Sequence, residues 1–228
     1  MHDGDIKAGN LLERFDTIIL PDQSPEQIVA GYKAGVVPPD YAGGMTDMGV
    51  ENLKQFVESG GTLVCNKASL DLAIRMFSLP LKNVVRGLPQ KDFFVPGSVF
   101  RVDFDAAHPV AYGMDAHGYA YVSGAHAFDL PSDVEPGRDD KADKKEADAK
   151  AEKPKNSGLT VFARFPNEAL LASGFAVGEQ RMRGKAVGVE AAVGKWRVVL
   201  FGFNVQNRAQ SYATHKLLYN ALFLRAGR

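Results

Sequence analysis

The chain has 228 residues, of which 45% are hydrophobic and 24% are charged. This composition is typical of a globular α/β domain with a substantial core. The 27 basic and 27 acidic residues cancel, so no global field favours a nucleic acid or a cationic partner. The chain lacks an apolar run of the roughly 18 residues that predict a membrane-spanning helix. Its one cysteine, Cys65, excludes an internal disulfide.

Residues 15–20, FDTIIL, predict the first buried strand, which Pro21 ends. A helix is predicted next, with Ser24 as its N-cap and Pro25 at its first position. The proline- and glycine-rich region that follows predicts a long loop. Thr46 is interpreted as the cap of the next helix.

The stretch 50–77 reads as a helix, a turn, a strand, a bend and a second helix. Two glycines at 60–61 end the first helix, because glycine accepts the left-handed conformation of a helix cap. Residues 62–65 are short, apolar and partly β-branched, which predicts a strand buried on both faces. Residues 66–69 form the bend. In open parallel sheets, ligands and catalytic groups gather at such strand-to-helix bends.

The second half of the chain predicts antiparallel strands and a final helix. Residues 98–104 alternate between apolar and polar side chains, which is typical of a strand with one exposed face. Residues 185–203 predict two strands joined by a hairpin at 193–195. Residues 206–224 have the apolar spacing of an amphipathic helix. Shorter strands are predicted at 120–122, 127–130 and 159–163.

This order of elements predicts a three-layer α/β sheet with an antiparallel extension. We interpret residues 1–228 as a single domain. Residues 132–157 are different, since they mix charges and hold no aromatic residue and only one large aliphatic residue. Such a segment cannot bury enough apolar surface to offset its ordering entropy, so we predict a flexible charged insertion. An interaction arm is the alternative for this segment.

Four stretches carry a family pattern through their order and spacing. They are FDTIILPDQS, YAGGMTDMGVENLKQFVESGGTLVCNKAS, FFVPGSVFRVDFDAAHPVAYGM and GKWRVVLFGFNVQNRAQSYATHKLLYNALF. Together they resemble the C-terminal domain of bacterial zinc carboxypeptidase-like proteins of the carboxypeptidase A superfamily, over nearly all the chain except 132–157. That domain is similar in fold to class I glutamine amidotransferases and to trehalose-utilisation and β-galactosidase trimerisation domains. The resemblance therefore implies a flavodoxin-like, mostly parallel sheet.

The resemblance also implies a larger parent protein. Domains of this fold open with a strand and a helix before the strand at 15–20, so the first βα unit is expected to be missing or upstream. The peptidase zinc site uses an H-x-x-E pair and a distant His, and no histidine here has Glu three residues later. Zinc is therefore expected only in an upstream peptidase domain, with no cofactor in this chain. Related proteins are often exported, which implies a periplasmic or secreted parent.

An amidotransferase of this fold needs a cysteine at the bend after the central strand and a His-x-Glu pair after the last strand. Counting along the strand places the bend near Lys67–Ser69, with Ala68 and Ser69 as degenerate catalytic positions. Cys65 is then interpreted as a small buried strand residue. Asn204 and Gln206 stand where the family pattern F-H-P-E has His and Glu. Because an amide cannot take a proton from a thiol, we predict that glutaminase chemistry is lost.

Other catalytic or metal sets have less support in the sequence. Ser69, Asp71 and His215 form a Ser/Asp/His set near the bend, but the chain contains no G-x-S-x-G elbow. We interpret His215 as a structural residue on the inward face of the last helix. Three histidines lie within a short stretch, but their spacing matches no tight metal-binding motif. They are His108, His117 and His126.

Four polar residues after the last strand are candidates for binding an anion or a polar ligand. Capping of the last helix is the alternative for them. We expect an inactive amidotransferase-like accessory domain that packs on the upstream peptidase domain, forms homo-oligomers or binds a ligand. A small-ligand module for a sugar or a peptide and a free-standing hydrolase are the alternatives. The four candidates are Asn204, Gln206, Arg208 and Gln210.

Overall fold

The computed structural model describes residues 1–131, 134, 158–193, 196–208 and 212–224. The predicted insertion at 132–157 lies outside the described residues except for Val134, and so does the hairpin turn at 194–195. The α-helices are α1 Asp3–Ala8, α2 Pro25–Ala30, α3 Thr46–Ser59, α4 Leu70–Met76 and α5 Tyr212–Phe223. The strands are β1 Thr17–Leu20, β2 Thr62–Asn66, β3 Lys82–Asn83, β4 Ser98–Phe104, β5 His117–Val122, β6 Phe128–Asp129, β7 Leu159–Arg164, β8 Leu171–Ser173, β9 Ala186–Val193 and β10 Trp196–Phe201.

All ten of these strands join one sheet, whose main order is β1-β2-β10-β9-β7-β4-β5. The short strand β6 pairs with β3 and β9, and β8 pairs with β4. Strands β1, β2 and β10 run parallel to one another. The other pairings between named strands are antiparallel. The predicted α/β fold, with parallel strands and an antiparallel extension, is therefore confirmed, and the extension holds the larger number of strands.

Strand β2, which lies between β1 and β10, is buried on both faces, as its sequence predicted. Leu63 and Cys65 pack into one core, and Val64 packs into the other. Two glycines connect α3 to this strand. Gly60 ends α3 with a φ of 137° and donates its N–H to the carbonyl of Val57. Gly61 has no room for a side chain, since a Cβ there would lie 2.1 Å from the Phe56 ring.

The sheet separates two cores of different composition. On the face covered by α1 to α4, the core is mainly aliphatic, and Phe56 and Phe128 are its buried aromatic members. The face covered by α5 is rich in phenylalanine, and its rings meet in edge-to-face pairs. Aromatic pairs prefer such tilted arrangements, because the ring edge is electropositive and the ring face electronegative. The ring pairs are Phe100–Phe165, Phe162–Phe201 and Phe201–Phe203.

The chain before β1 forms helix rather than strand. Residues 1–16 contain α1 and a short 3-10 helix, Leu11–Glu13, and no strand. Asn52 of α3 holds this segment in place, because its side-chain amide donates to the carbonyls of Ile6 and Lys7 at 2.9 and 3.0 Å. Within the sheet, β1 has β2 as its partner and is an edge strand.

Two predicted helix caps have different outcomes. Ser24 is the N-cap of α2, and its hydroxyl accepts the N–H of Gln27 at 3.2 Å. The prediction for Thr46 was wrong, because Met45 is the N-cap of α3 and Thr46 is the first helical residue, with a φ of 60°. Met45 is buried in the aliphatic core, so apolar burial rather than a hydroxyl cap fixes the start of this helix. Among the described helices, none is long and apolar enough to cross a membrane.

Candidate functional site

The strand-to-helix bend after β2 is a strained elbow. A 3-10 turn, Lys67–Ser69, connects Asn66 at the end of β2 to α4. Lys67 has a φ of 46°, a left-handed conformation that costs a non-glycine residue on the order of 1 kcal/mol or more. Enzymes with a nucleophile elbow place their nucleophile on this kind of strained turn. Lys67, rather than Ala68 or Ser69, therefore occupies the strained position.

An ion pair holds the Lys67 amine. Its Nζ lies 2.5 Å from Oδ2 of Asp22, which follows β1. The other carboxylate oxygen of Asp22 accepts the backbone N–H of Ala68 at 3.2 Å. The Lys67 side chain is only 11% exposed. One carboxylate thus binds both the side chain and the backbone of the elbow and fixes its shape.

Ser69 is locked inside the turn and is fully buried. Its hydroxyl oxygen accepts the N–H of Asn66 at 2.9 Å. The same oxygen lies 3.2 Å from the carbonyl of Leu20 and 2.9 Å from that of Asn66, to which the hydroxyl can donate. The hydroxyl thus caps the turn and is not presented to a substrate.

Cys65 lies in β2 and not on the elbow. Its thiol is fully buried among apolar side chains. Burial raises the pKa of the Cys65 thiol far above its ordinary value, and a hydrogen bond with Ser69 opposes this effect. Because the thiolate is the reactive form, this thiol is poorly nucleophilic.

A histidine reaches the elbow from a different part of the chain. His126 lies between β5 and β6, and its backbone N–H donates to the carbonyl of Gly202, just after β10, at 3.0 Å. Burial lowers the pKa of its imidazole, and the nearby Asp71 carboxylate is the strongest opposing influence. Lys67, Asp22 and Arg86 are also close enough to shift this pKa. Asp71 itself lies 3.6 Å from the guanidinium of Arg86.

We call this set of side chains at the carboxyl end of the parallel strands the elbow cluster. Two of its polar atoms, Oδ1 of Asn66 and Nδ1 of His126, are buried and have no hydrogen-bond partner within the described part of the chain. An unpaired buried polar atom costs about 1–3 kcal/mol, so such atoms usually contact water or a ligand. The cluster consists of Asp22, Asn66, Lys67, Asp71, Arg86 and His126.

The four ligand candidates after β10 are not all available for binding. Asn204 donates its N–H to the carbonyl of Tyr121, and its side-chain oxygen accepts the N–H of Ser123 at 3.0 Å. This amide fastens the end of β5 and makes no hydrogen bond to the elbow. Gln206 and Arg208 are exposed, and Arg208 has a φ of 49°. Gln210 lies outside the described residues.

The other predicted sets are not brought together. The Ser69 hydroxyl bonds to Leu20 and Asn66, whereas the ring of His215 meets the ring of Tyr212 edge-on. The three clustered histidines are distributed to different places: His108 contacts Glu190 and Thr160, His117 contacts Asp103, and His126 joins the elbow cluster. Among the described residues, no group of three His, Cys, Asp or Glu side chains could hold a metal ion.

Sequence reasoning missed the roles of Asp22, Lys67 and His126 at the elbow. A signal for Asp22 was present, because it follows Pro21 at the end of a strand that was predicted to be parallel. Lys67 was placed in the bend, but a sequence does not display a positive φ angle. His126 has no local signal in the sequence, because its position is fixed by a backbone hydrogen bond to Gly202, which is distant in the chain.

Comparison with known proteins shows the fold. No protein-family model and no curated protein matches the chain. A protein from Bacteroides uniformis described as ThuA-like is 12% identical with a TM-score of 0.50, over 95% of this chain and 72% of that chain. The cytoplasmic protein STM3548 from Salmonella typhimurium is 13% identical with a TM-score of 0.53, over 100% of this chain and 80% of that chain. The chain thus has the class I glutamine amidotransferase-like fold that ThuA-like proteins share.

Proposed function

We propose that this chain is a catalytically inactive amidotransferase-like domain. The observation that carries the proposal is the residue at the strained elbow position. An amidotransferase needs a thiolate there, whereas this chain has Lys67, whose amine is paired with Asp22 at 2.5 Å. An ammonium group in an ion pair has no free electron pair with which to attack a carbonyl.

The neighbouring residues support the same proposal. The buried thiol of Cys65 has a raised pKa, and the Ser69 hydroxyl is hydrogen-bonded inside the turn. The amide of Asn204, at the position of the family's histidine, binds the end of β5 and cannot act as a base.

Activity assays on the full chain test this proposal. We expect no hydrolysis of glutamine or of an activated ester above the buffer rate, for the wild type and for Cys65→Ala and Ser69→Ala alike. Turnover by the wild type that either substitution abolishes would overturn the proposal. Far-UV circular dichroism on each variant controls for folding.

A second candidate function is binding of a small polar ligand at the elbow cluster. The unpartnered Oδ1 of Asn66 and Nδ1 of His126 favour it, because each is a buried polar atom that needs a hydrogen-bond partner. Titration with L-glutamine and with succinate, followed by backbone amide NMR, tests this function. Binding predicts shifts at residues 66–71 that His126→Ala weakens. The matched control is His215→Ala, because Nε2 of His215 is also buried and unpartnered but lies on α5.

The sequence resemblance supports a further part of the proposal, an accessory role beside an exported zinc carboxypeptidase-like domain. This role would consist of packing on the peptidase domain or of contacts between copies of the chain. The upstream reading frame tests it directly. An H-x-x-E pair with a distant histidine in a peptidase-sized region would support the role, and an upstream frame without them would contradict it.

A further inference from the structure

The antiparallel extension carries a groove on its exposed face. The groove has a volume of about 310 Å³, at the lower end of the range for small-molecule sites. It lies on β4 and β5 and is bordered by the segment after β7. Along the sheet, β4 is four strand positions away from β2, roughly 19 Å. This outer groove is therefore separate from the elbow cluster. Its side chains include Arg101, Asp103, His117, Tyr119, Pro166 and Glu168.

Cross-strand pairing brings the polar groups together. In the register of β4 and β5, Arg101 lies opposite Tyr119, and Asp103 lies opposite His117. Directly opposite residues in a sheet have Cβ atoms about 5 Å apart and project from the same face. The outer groove thus presents four functional side chains on two hydrogen-bonded strands, which form a rigid base.

Contacts within the protein fix two of these groups. The Arg101 guanidinium donates from one terminal nitrogen to the carbonyls of Ala169 and Leu171, at 2.6 and 3.2 Å. Nδ1 of His117 lies 2.7 Å from a carboxylate oxygen of Asp103. That contact uses Nδ1 alone, and Nε2 lies on the opposite side of the His117 ring. Groups held in this way lose little further conformational entropy when a ligand binds.

The apolar part of the outer groove is a tyrosine beside a proline. Tyr119 is 56% exposed, although exposure of a large aromatic side chain is unfavourable. A tyrosine offers a ring surface for stacking and a hydroxyl for hydrogen bonding. Pro166 adds a second apolar surface at the border of the groove.

We propose that the outer groove binds a neutral saccharide of one or two sugar rings. A sugar ring has an apolar C–H face that stacks on an aromatic ring, and hydroxyls that both donate and accept hydrogen bonds. The groove matches both features, with Tyr119 for the ring face, Asp103 and Glu168 as acceptors and Arg101 as donor. Because the two carboxylates exceed the one guanidinium, the charge disfavours anionic ligands. The volume fits a ligand of this size.

An NMR titration of the full chain with glucose, maltose, cellobiose and diacetylchitobiose tests the proposal. We expect at least one of these sugars to shift the amide resonances of residues 101–103 and 117–119 in a saturable way. Tyr119→Ala should weaken this binding about fivefold, since an aromatic contact contributes on the order of 1 kcal/mol. Asp103→Asn keeps the shape of the side chain and should also weaken the binding, because it removes a carboxylate acceptor.

Tyr219→Ala is the matched control, because Tyr219 is 59% exposed but lies on α5. It should leave the sugar affinity unchanged. The proposal fails if none of the four sugars shifts the groove resonances, or if Tyr119→Ala and Tyr219→Ala bind sugar as well as the wild type does. It also fails if the groove responds to short peptides instead of sugars.

Discussion

Strand β2 of the parallel part of the sheet and strand β4 of the antiparallel extension use their side chains in opposite ways. In β2, four of the five residues are buried, because neighbours cover the strand on both faces. In β4, buried residues alternate with half-exposed ones, because one face meets solvent. Polar chemistry around β2 can therefore collect only at the strand end, where the elbow cluster lies. Around β4, polar side chains form a row along the open face. The same sheet thus produces one polar site at the end of a buried strand and another along an open face.

The largest expected effect is a loss of stability in the core beneath the extension. Phe201 of β10 is fully buried, and its ring centroid lies 5.4 Å from that of Phe162 and 6.1 Å from that of Phe203. Phe201→Ala should lower the free energy of unfolding by about 3–5 kcal/mol, because it leaves a cavity as well as removing apolar contacts. Urea denaturation measures this change. A loss below about 1 kcal/mol would show that the aromatic core can collapse around the deletion.

The elbow should show a smaller effect with a specific signature. Lys67→Ala and Lys67→Gly both remove the ion pair with Asp22, but only glycine adopts the positive φ angle without strain. We expect Lys67→Ala to cost about 1–2 kcal/mol, because Lys67 is largely buried while the Asp22 side chain is 42% exposed. Lys67→Gly should be about 1 kcal/mol more stable than Lys67→Ala. Equal unfolding free energies for the two variants would contradict a strained elbow.

Acid should weaken the fold through two half-buried histidines. Burial lowers the pKa of His126 and of His108, so the folded chain binds fewer protons than the unfolded chain just below the ordinary histidine pKa of 6.5. Their contribution to stability is therefore complete above pH 6.5 and is lost as the pH falls through the folded-state pKa values.

Unfolding free energies measured between about pH 5 and 8 check this dependence. His126→Gln should flatten the acid side of the profile, and His108→Gln should flatten it further. For His108, the carboxylates of Glu190 and Asp105 oppose the effect of burial, whereas Arg197 adds to it. An unchanged pH profile in the double variant would show that other groups control acid stability.

The smallest expected effect is on the open face of the extension. Tyr119→Ala should change the unfolding free energy by no more than about 0.5 kcal/mol, because Tyr119 is largely exposed and the fold does not depend on its ring. Thermal unfolding of this variant, run beside Phe201→Ala, compares the exposed Tyr119 of β5 with the buried Phe201 of β10. A clear loss of stability would mean that Tyr119 has a structural role. Its ring could then no longer be counted as a surface that is free to bind a ligand.

The contrast between β2 and β4 also explains which parts of the fold the sequence could predict. Both strands were found from their patterns, a continuous apolar run for β2 and strict alternation for β4. The strands β3 and β8 were missed because they have two and three residues, too few to display a period. The start of α3 was misplaced because the burial of Met45, and not a local cap, decides it.

The candidate sites were predictable only where they depend on neighbours in the sequence. The bend at Lys67–Ser69 follows from a strand, a turn and a helix in succession, so the elbow was located correctly. The place of Asn204 depends on Tyr121 and Ser123, which come from another part of the chain, and its role in fastening β5 was therefore not foreseen. The outer groove likewise depends on the pairing of β4 with β5.

The single cysteine gives this protein an internal reporter of its own opening. Cys65 is fully buried in the core between the sheet and α1 to α4, so a thiol reagent reaches it only when that core opens. The alkylation rate of the native chain would thus report how often this core opens, in the manner of hydrogen exchange. No label has to be introduced, and no second thiol competes for the reagent.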